Sequence, residues 1–401
     1  MDISVFSTND SIDVHAASRI VPSIETIQEA LCAELAAAHL PETLSSGAVV
    51  VQGCLPLLMN AVSAEAIIER VGPQKYARIR KLYKESSLLN LWYGLELQKL
   101  LQILGDAQIP VMVLKGADLA ATFYSRTELR HFGDVDLLVK PDHLMAVAAL
   151  LEQAGYQYHQ EYRFEAISKQ RVGFVYVKAV AAGYLAFEVH TSPHSNEMGV
   201  SFDAAQWWQR ARPIVVANVT TLGMGLEDLL LYLCWHYRSH AFSRLIWLYD
   251  IAVVVSGAAE QLDWSLLAHL ARQQGLSSTI YYCLRWCQQL FHVSLPAHNP
   301  MHYFEPSKPL QWLMNYAIVD DVAPLVHRHM HYKRKLLQRL MADNVPALCR
   351  ILLRLLFPSP THLGRLYMER YSLPVHLFWL YYPVHPFFVL ASYLKRRGRN
   401  D

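Results

Sequence analysis

Two hydrophobic periods divide this chain. From Gln74 to Leu104 apolar residues recur at helical spacing over a long amphipathic stretch that ends at Gly105-Asp106-Ala107. Short apolar runs follow, rich in Val and Leu, as expected of buried strands. The first is Ile109-Pro110-Val111-Met112-Val113-Leu114, which enters Lys115-Gly116-Ala117 and then a helical stretch from Asp118 to Tyr124. The second is Val135 to Val139, preceded by Arg130-His131-Phe132-Gly133-Asp134. Lys140-Pro141-Asp142 opens a helix through Leu151 that Gly155 closes, with proline in the first turn and glycine past the end. A third run, Tyr184 to His190, pairs with Arg171 to Val180 through the small-residue turn Ala181-Ala182-Gly183. Thr220 to Gly225 marks the exit from the sheet, and the chain then reads as helical to about Leu356.

Period two puts Asp134 and Asp136 on one face of their strand. Adjacent carboxylates repel and are costly to bury unless a cation lies between them, and a hard divalent ion with oxygen ligands, above all Mg²⁺, suits the pair. Aspartates capping a loop would give the same two letters, so the neighbouring residues decide. Upstream, a strand running into Lys115-Gly116 at a helix start offers backbone N–H groups and the positive end of a helix dipole to phosphates, with Lys115 beside them as a point charge. Downstream, Glu188 supplies a third acid among hydrophobic residues. His190 follows two residues later on the same strand face; it either orients the acid, touches substrate, or packs without chemical work.

These residues resemble the nucleotidyltransferase fold of the DNA polymerase beta superfamily: a small-residue turn after a first strand, a D-x-D strand, and a third acid on a later one. Within it the chain is most similar to an uncharacterised bacterial nucleotidyltransferase family, through Leu114-Lys115-Gly116, Phe123-Tyr124, Arg130, Gly133-Asp134-Val135-Asp136-Leu137-Leu138-Val139 and Phe187-Glu188-Val189-His190. Further matches are Glu227-Asp228-Leu229-Leu230-Leu231, His236, His240, Arg244-Leu245-Ile246-Trp247 and Asp250. The similarity covers roughly residues 50–290, with a looser echo at Leu356-Phe357-Pro358-Ser359. One position departs: Ala117 stands where the superfamily's turn usually has Gly or Ser, so no hydroxyl is offered there.

The resemblance implies an α+β fold, a small mixed nucleotidyltransferase sheet with flanking helices plus N- and C-terminal helical regions. It implies transfer of an NMP from an NTP to a hydroxyl or similar acceptor, with release of pyrophosphate. Two metal ions about 4 Å apart would serve the reaction, Mg²⁺ or alternatively Mn²⁺. Asp134, Asp136 and Glu188 are then the catalytic and metal-holding residues, and Lys115, Gly116, Arg130, Gly133 and His190 the nucleotide-binding ones. The acceptor, whether small molecule, peptide, protein or RNA, is not legible. A catalytically inactive nucleotide-binding module and a toxin-like tRNA nucleotidyltransferase are the alternatives. Glycosyltransferases also use D-x-D, but there the acids follow the apolar strand, whereas here they precede Leu137-Leu138-Val139.

Composition adds limits. A chain of 401 residues suits two or three modules, and a net charge of +2 argues against bulk nucleic-acid binding. The expected division is a polar tail at 1–20, a helical region at 21–104, the catalytic core at 105–222, a helical domain at 223–356 and an aromatic, basic segment at 357–401. Met1-Asp2-Ile3-Ser4 lacks the basic region of a secretory leader, so none is expected. The six cysteines are scattered in apolar contexts; Cys283 and Cys287 share a helix face without a second ligand pair and read as buried thiols of a cytoplasmic enzyme. His236 and His240, at i and i+4, could hold a metal, but packing or closing over a nucleotide is the expectation. The basic stretch His327 to Lys335 reads as a solvated helix end. Leu373 to Leu394 approaches a membrane span in length, but Pro374, Pro383 and Pro386 interrupt it. Packing on the body is expected there, with peripheral contact at the inner membrane as the alternative.

Overall fold

The computed structural model describes residues 22–24, 28, 31–32, 53–159, 173–181, 183–193, 200–314, 331–358, 382–383 and 385–387. The polar tail, the start of the basic stretch and most of the aromatic C-terminal segment lie outside them. No helix among the described residues is long and apolar enough to cross a membrane.

Helices α1 (Leu55–Ala61) and α2 (Ala64–Val71) precede the long α3 (Pro73–Asp106), which begins and ends within two residues of the amphipathic stretch. Strand β1 (Val111–Leu114) runs directly into α4 (Lys115–Thr122). That helix starts three residues before its periodic stretch, directly at Lys115, whose φ of 48° is left-handed. Next come β2 (Val135–Val139), a 3₁₀ turn at Pro141–His143, and α5 (Leu144–Gln153). Strands β3 (Gln157–Tyr158), β4 (Gly173–Val180) and β5 (Gly183–His190) follow, then α6 (Ala204–Gln209).

A hairpin, β6 (Arg212–Val216) and β7 (Val219–Gly223), extends the sheet where periodicity predicts only an exit. Its turn residues Ala217 and Asn218 both have positive φ, the geometry of a primed turn, without the Asn-Gly pair that advertises one. Pro213 is tolerated because β6 is an edge strand. Helices α7 (Leu226–Ser239), α8 (Leu245–Ala258), α9 (Trp264–Gln274) and α10 (Ser277–Phe291) pack next. The described chain continues through α11 (Lys308–Met314), α12 (His331–Leu340) and α13 (Val345–Leu356).

Seven strands among the described residues form one mixed sheet in the order β3-β4-β5-β2-β1-β7-β6. β2 lies antiparallel to β1 and parallel to β5, and β7 lies parallel to β1. Alternation then divides the chain into two cores. Val135, Leu137, Val139, Phe187 and Val189 face the C-terminal half of α3 and α5, around Tyr93, Leu97, Leu104 and Leu151. Met112, Leu114 and Leu138 face the other way, into the core shared with α7, α8 and α10. Asp136 lies on this second face, so its carboxylate meets the helical layer rather than bulk water. Cys234, Cys283 and Cys287 are buried thiols, and burial raises Cys234 and Cys287 well above their usual range.

One ion pair ties the connection before β2 to the helical layer. Arg130 Nε and Nη2 donate to the two carboxylate oxygens of Asp250 on α8 at 2.7 and 2.8 Å, and the Tyr124 hydroxyl donates to Asp250 Oδ1 at 2.7 Å. Asp250 is fully buried. Removing one partner of such a pair costs about 3–5 kcal/mol because it leaves the other charge buried, whereas replacing both by apolar groups costs far less. Asp250→Ala should therefore lower the melting temperature sharply, and Arg130→Met combined with Asp250→Leu should recover much of the loss. A double variant no more stable than the single one would show that the stranded charge is not the cause.

Candidate active site

The β1–β2–β5 register builds the site. Asp136 is level with Leu114 on one side and with Glu188 on the other, so the residue after β1, Lys115, emerges beside Asp136. Leu138 is level with His190, which places Glu188 and His190 on the Asp136 face one step apart. Ligand atoms of Asp136, Glu188 and His190 lie within 4.8 Å of one another, the one such cluster among the described residues. Asp134, one residue before β2, lies outside that set.

Asp136 is 5% exposed, and two cationic or proton-bearing groups meet its Oδ1: Lys115 Nζ at 3.2 Å and His190 Nε2 at 3.0 Å. His190 Nε2 also lies 3.5 Å from Glu188 Oε2. Burial alone would raise the Asp136 carboxyl, but Lys115 and the His190 hydrogen bond hold it far below the usual carboxylate range. Asp134 goes the other way: desolvation, then the charges of Asp136 and Glu188, push it up to about 6. Burial would lower Lys115, yet Asp136 foremost keeps its ammonium charged, and His190 is raised by Asp136 and Glu188 against the same penalty.

The two glycines differ. A Cβ on Gly116 would come 2.9 Å from Phe132 Cβ, so the turn closes against the D-x-D loop only with glycine there. Gly133 has open space around it; its carbonyl accepts from the Tyr93 hydroxyl. Tyr93 in turn accepts from the Ala186 N–H at 3.0 Å, and Asn90, one turn earlier on α3, donates to the Arg130 carbonyl at 3.1 Å. The Asn90 side-chain oxygen lies 2.9 Å from His131 Nδ1, and burial with Arg130 and Arg244 nearby pushes His131 down to about 4. Asn90 and Tyr93 thus fasten both the loop carrying Asp134 and strand β5. Sequence reading passed over them, since a polar pair at i, i+3 in an amphipathic helix looks like an ordinary solvated face.

Of the eight residues singled out from the sequence, Lys115, Gly116, Asp136, Glu188 and His190 converge, and Gly133 and Asp134 flank them. Arg130 is held back, its guanidinium engaged by Asp250. Tyr232 of α7 joins the site unforeseen, with Lys115 Nζ 5.6 Å from its ring centroid. Among the described residues His236 and His240 join no metal-type cluster; their rings pack on one another and on Trp247.

Residues 48–292 match the family described as "Uncharacterised nucleotidyltransferase". The chain belongs to this family. No curated protein matches it. Among solved structures it is similar to ANT(2")-Ia in complex with adenylyl-2"-tobramycin, at 12% identity over 45% of this chain and 98% of that one, with a TM-score of 0.32. A solution structure of the antibiotic-resistance factor ANT(2'')-Ia matches at 13% identity over 51% and 97%, TM-score 0.31. An antigenic nucleotidyltransferase-like protein from Paracoccidioides brasiliensis matches at 16% identity over 52% and 96%, TM-score 0.26. Membership rests on the family match, not on these low scores.

The opposite shifts of the two aspartates give opposite effects on stability when divalent ions are chelated. Folding raises Asp134 from 3.8 to about 6, so its favourable share is complete below pH 4 and lost as pH rises through 6. Folding lowers Asp136, so its share is present above pH 3.8 and lost only as pH falls below that. In chelator at pH 8, Asp134→Asn should raise the melting temperature and Asp136→Asn should lower it, and the Asp134→Asn gain should vanish at pH 4. Thermal melts giving both variants the same sign at pH 8 would contradict this electrostatic split.

Proposed function

We propose that this nucleotidyltransferase-family protein transfers an NMP from an NTP to a hydroxyl or similar acceptor, with divalent metal ions held by Asp134, Asp136 and Glu188. The observation that carries the reading is the meeting of Asp136, Glu188 and His190 on one buried sheet face with Lys115 against Asp136. The oxygens of Asp134, Asp136 and Glu188 form a hard donor set that suits Mg²⁺ or Mn²⁺, with His190 Nε2 engaged by Asp136 beside it, and converging like charges favour a cation between them. When bound, such ions supply Lewis-acid stabilisation of charge on the triphosphate and acidify the acceptor hydroxyl.

The chain's own residues do the rest. The acceptor oxygen attacks the α-phosphorus in line; the new P–O bond forms as the bond to the oxygen bridging the α- and β-phosphates breaks, and pyrophosphate leaves with that electron pair. Glu188, whose side chain is 19% exposed, takes the acceptor's proton. Lys115 exchanges Asp136 for triphosphate oxygens, and the N-terminus of α4, which has no side-chain cap, turns backbone N–H groups toward them. His190 orients Asp136. Arg130, bound to Asp250, acts on the triphosphate only through its field and through the loop it anchors. All three acids are present, which weighs against an inactive binding module. Free cysteines, Cys349 among them exposed, suit a reducing cytoplasmic setting.

The test is incubation of purified protein with each labelled NTP, Mg²⁺ and a cell extract, following pyrophosphate release and label transfer. Asp136→Asn and Glu188→Gln should each cut transfer by about 100-fold or more while the far-UV spectrum is unchanged. Near-normal turnover in either variant would overturn the assignment of the acids.

A further inference from the structure

An aromatic stripe leads away from Lys115 along α7. Tyr232, His236 and His240 recur at i, i+4 and i+8, a rise of about 12 Å on one helix face. The Tyr232 and His236 rings stack at 6.2 Å with an interplanar angle of 26°, and His236 meets His240 at 4.7 Å. Trp247, in the first turn of α8, closes the outer end, 4.6 Å from His236 and 5.0 Å from His240. The Arg244 guanidinium lies over the Trp247 ring at 5.2 Å. The inner end is Lys115, 5.6 Å from the Tyr232 ring centroid. The stripe therefore joins the buried carboxylates to the surface without a break.

Packing alone does not account for its outer half. The aromatic cluster around Trp207, Tyr232 and Trp235 is buried, as side chains that only fill a core are. Trp247, His236 and Arg244 are instead half-buried, and His240 is exposed. The outer end also feels the site's charges: Lys115 and Asp136 act on His236, and Asp134 acts on Arg244. Burial and Lys115 keep His236 uncharged, so it presents a neutral ring. Flat neutral rings beside a guanidinium plane are what nucleobases stack on.

We propose that His236, His240, Trp247 and Arg244 form the nucleobase-stacking platform of the NTP site. This rests on the nucleotidyltransferase reading, which puts the triphosphate at Lys115; the base then lies one nucleotide's length outward along α7. A platform of rings and a guanidinium plane takes purine nucleoside triphosphates in preference to pyrimidine ones by ring area.

The test compares equilibrium binding of ATP, CTP and inorganic tripolyphosphate to the full chain in Mg²⁺, without an acceptor. The wild type should bind ATP more tightly than CTP, and both more tightly than tripolyphosphate. His240→Ala and Trp247→Leu should each weaken ATP binding about tenfold and leave tripolyphosphate binding unchanged, and Trp247→Phe, which keeps a ring, should restore most of the affinity. His240 is exposed, so its variant tests the idea even if Trp247→Leu impairs folding. ATP affinity at the wild-type level in His240→Ala, or in a folded Trp247→Leu, would overturn the platform while leaving the triphosphate site standing. A wild type that binds neither ATP nor tripolyphosphate would overturn the nucleotide reading, and the platform with it.

Discussion

Asp136 carries a negative charge into a place where negative charge is expensive, and the site is arranged around that cost. The parallel register of β2 and β5 sets Glu188 directly beside it, and Asp134 precedes it by one pleat. Desolvation, with the charges of Asp136 and Glu188 behind it, raises the Asp134 carboxyl. Lys115 and His190 answer the charge from two sides. Lys115 reaches it from a left-handed backbone conformation that an ordinary residue adopts at some strain. On the function proposed above, such a position, with its positive charge in a displaceable side chain, would take a divalent ion and a triphosphate.

The scaffold keeps this arrangement from relaxing. The loop carrying Asp134 is fastened from below by Asn90 and Tyr93 of α3 and from above by the Arg130–Asp250 pair. Gly116 lets the α4 turn press against Phe132 of the same loop. On the two sheet faces separate cores hold α3 and the α7–α10 layer, so the acids are trapped between elements rather than displayed on a loop. This rigidity favours electrostatic catalysis, where groups already oriented need no rearrangement as charge develops.

The local periodicities of the sequence carry a large part of this. The bounds of α3, the strand character of β1, β2, β4 and β5, and the shared face of Glu188 and His190 all follow from spacing. Asp136 with Glu188 was legible as chemistry because acids inside apolar strands are rare. The β6–β7 hairpin was not, since its turn is Ala217-Asn218 and its strands alternate weakly. The engagement of Arg130 by Asp250 was hidden by a sequence separation of 120: both positions could be singled out, but nothing local says that they meet. Tyr232 was concealed by a helix so apolar that one more aromatic reads as core. The tail from Leu373 lies almost wholly outside the described residues, so its aromatic and basic pattern stands as sequence expectation.

The central claim is that Asp136 and its neighbours hold divalent metal together with nucleotide. Electron paramagnetic resonance titration with Mn²⁺, with and without a non-hydrolysable NTP analogue, addresses it most directly. The account requires two Mn²⁺ bound per chain when the analogue is present, with the count reduced in Glu188→Gln. Absence of bound Mn²⁺ in the presence of the analogue, or a count indifferent to Glu188→Gln, would contradict it.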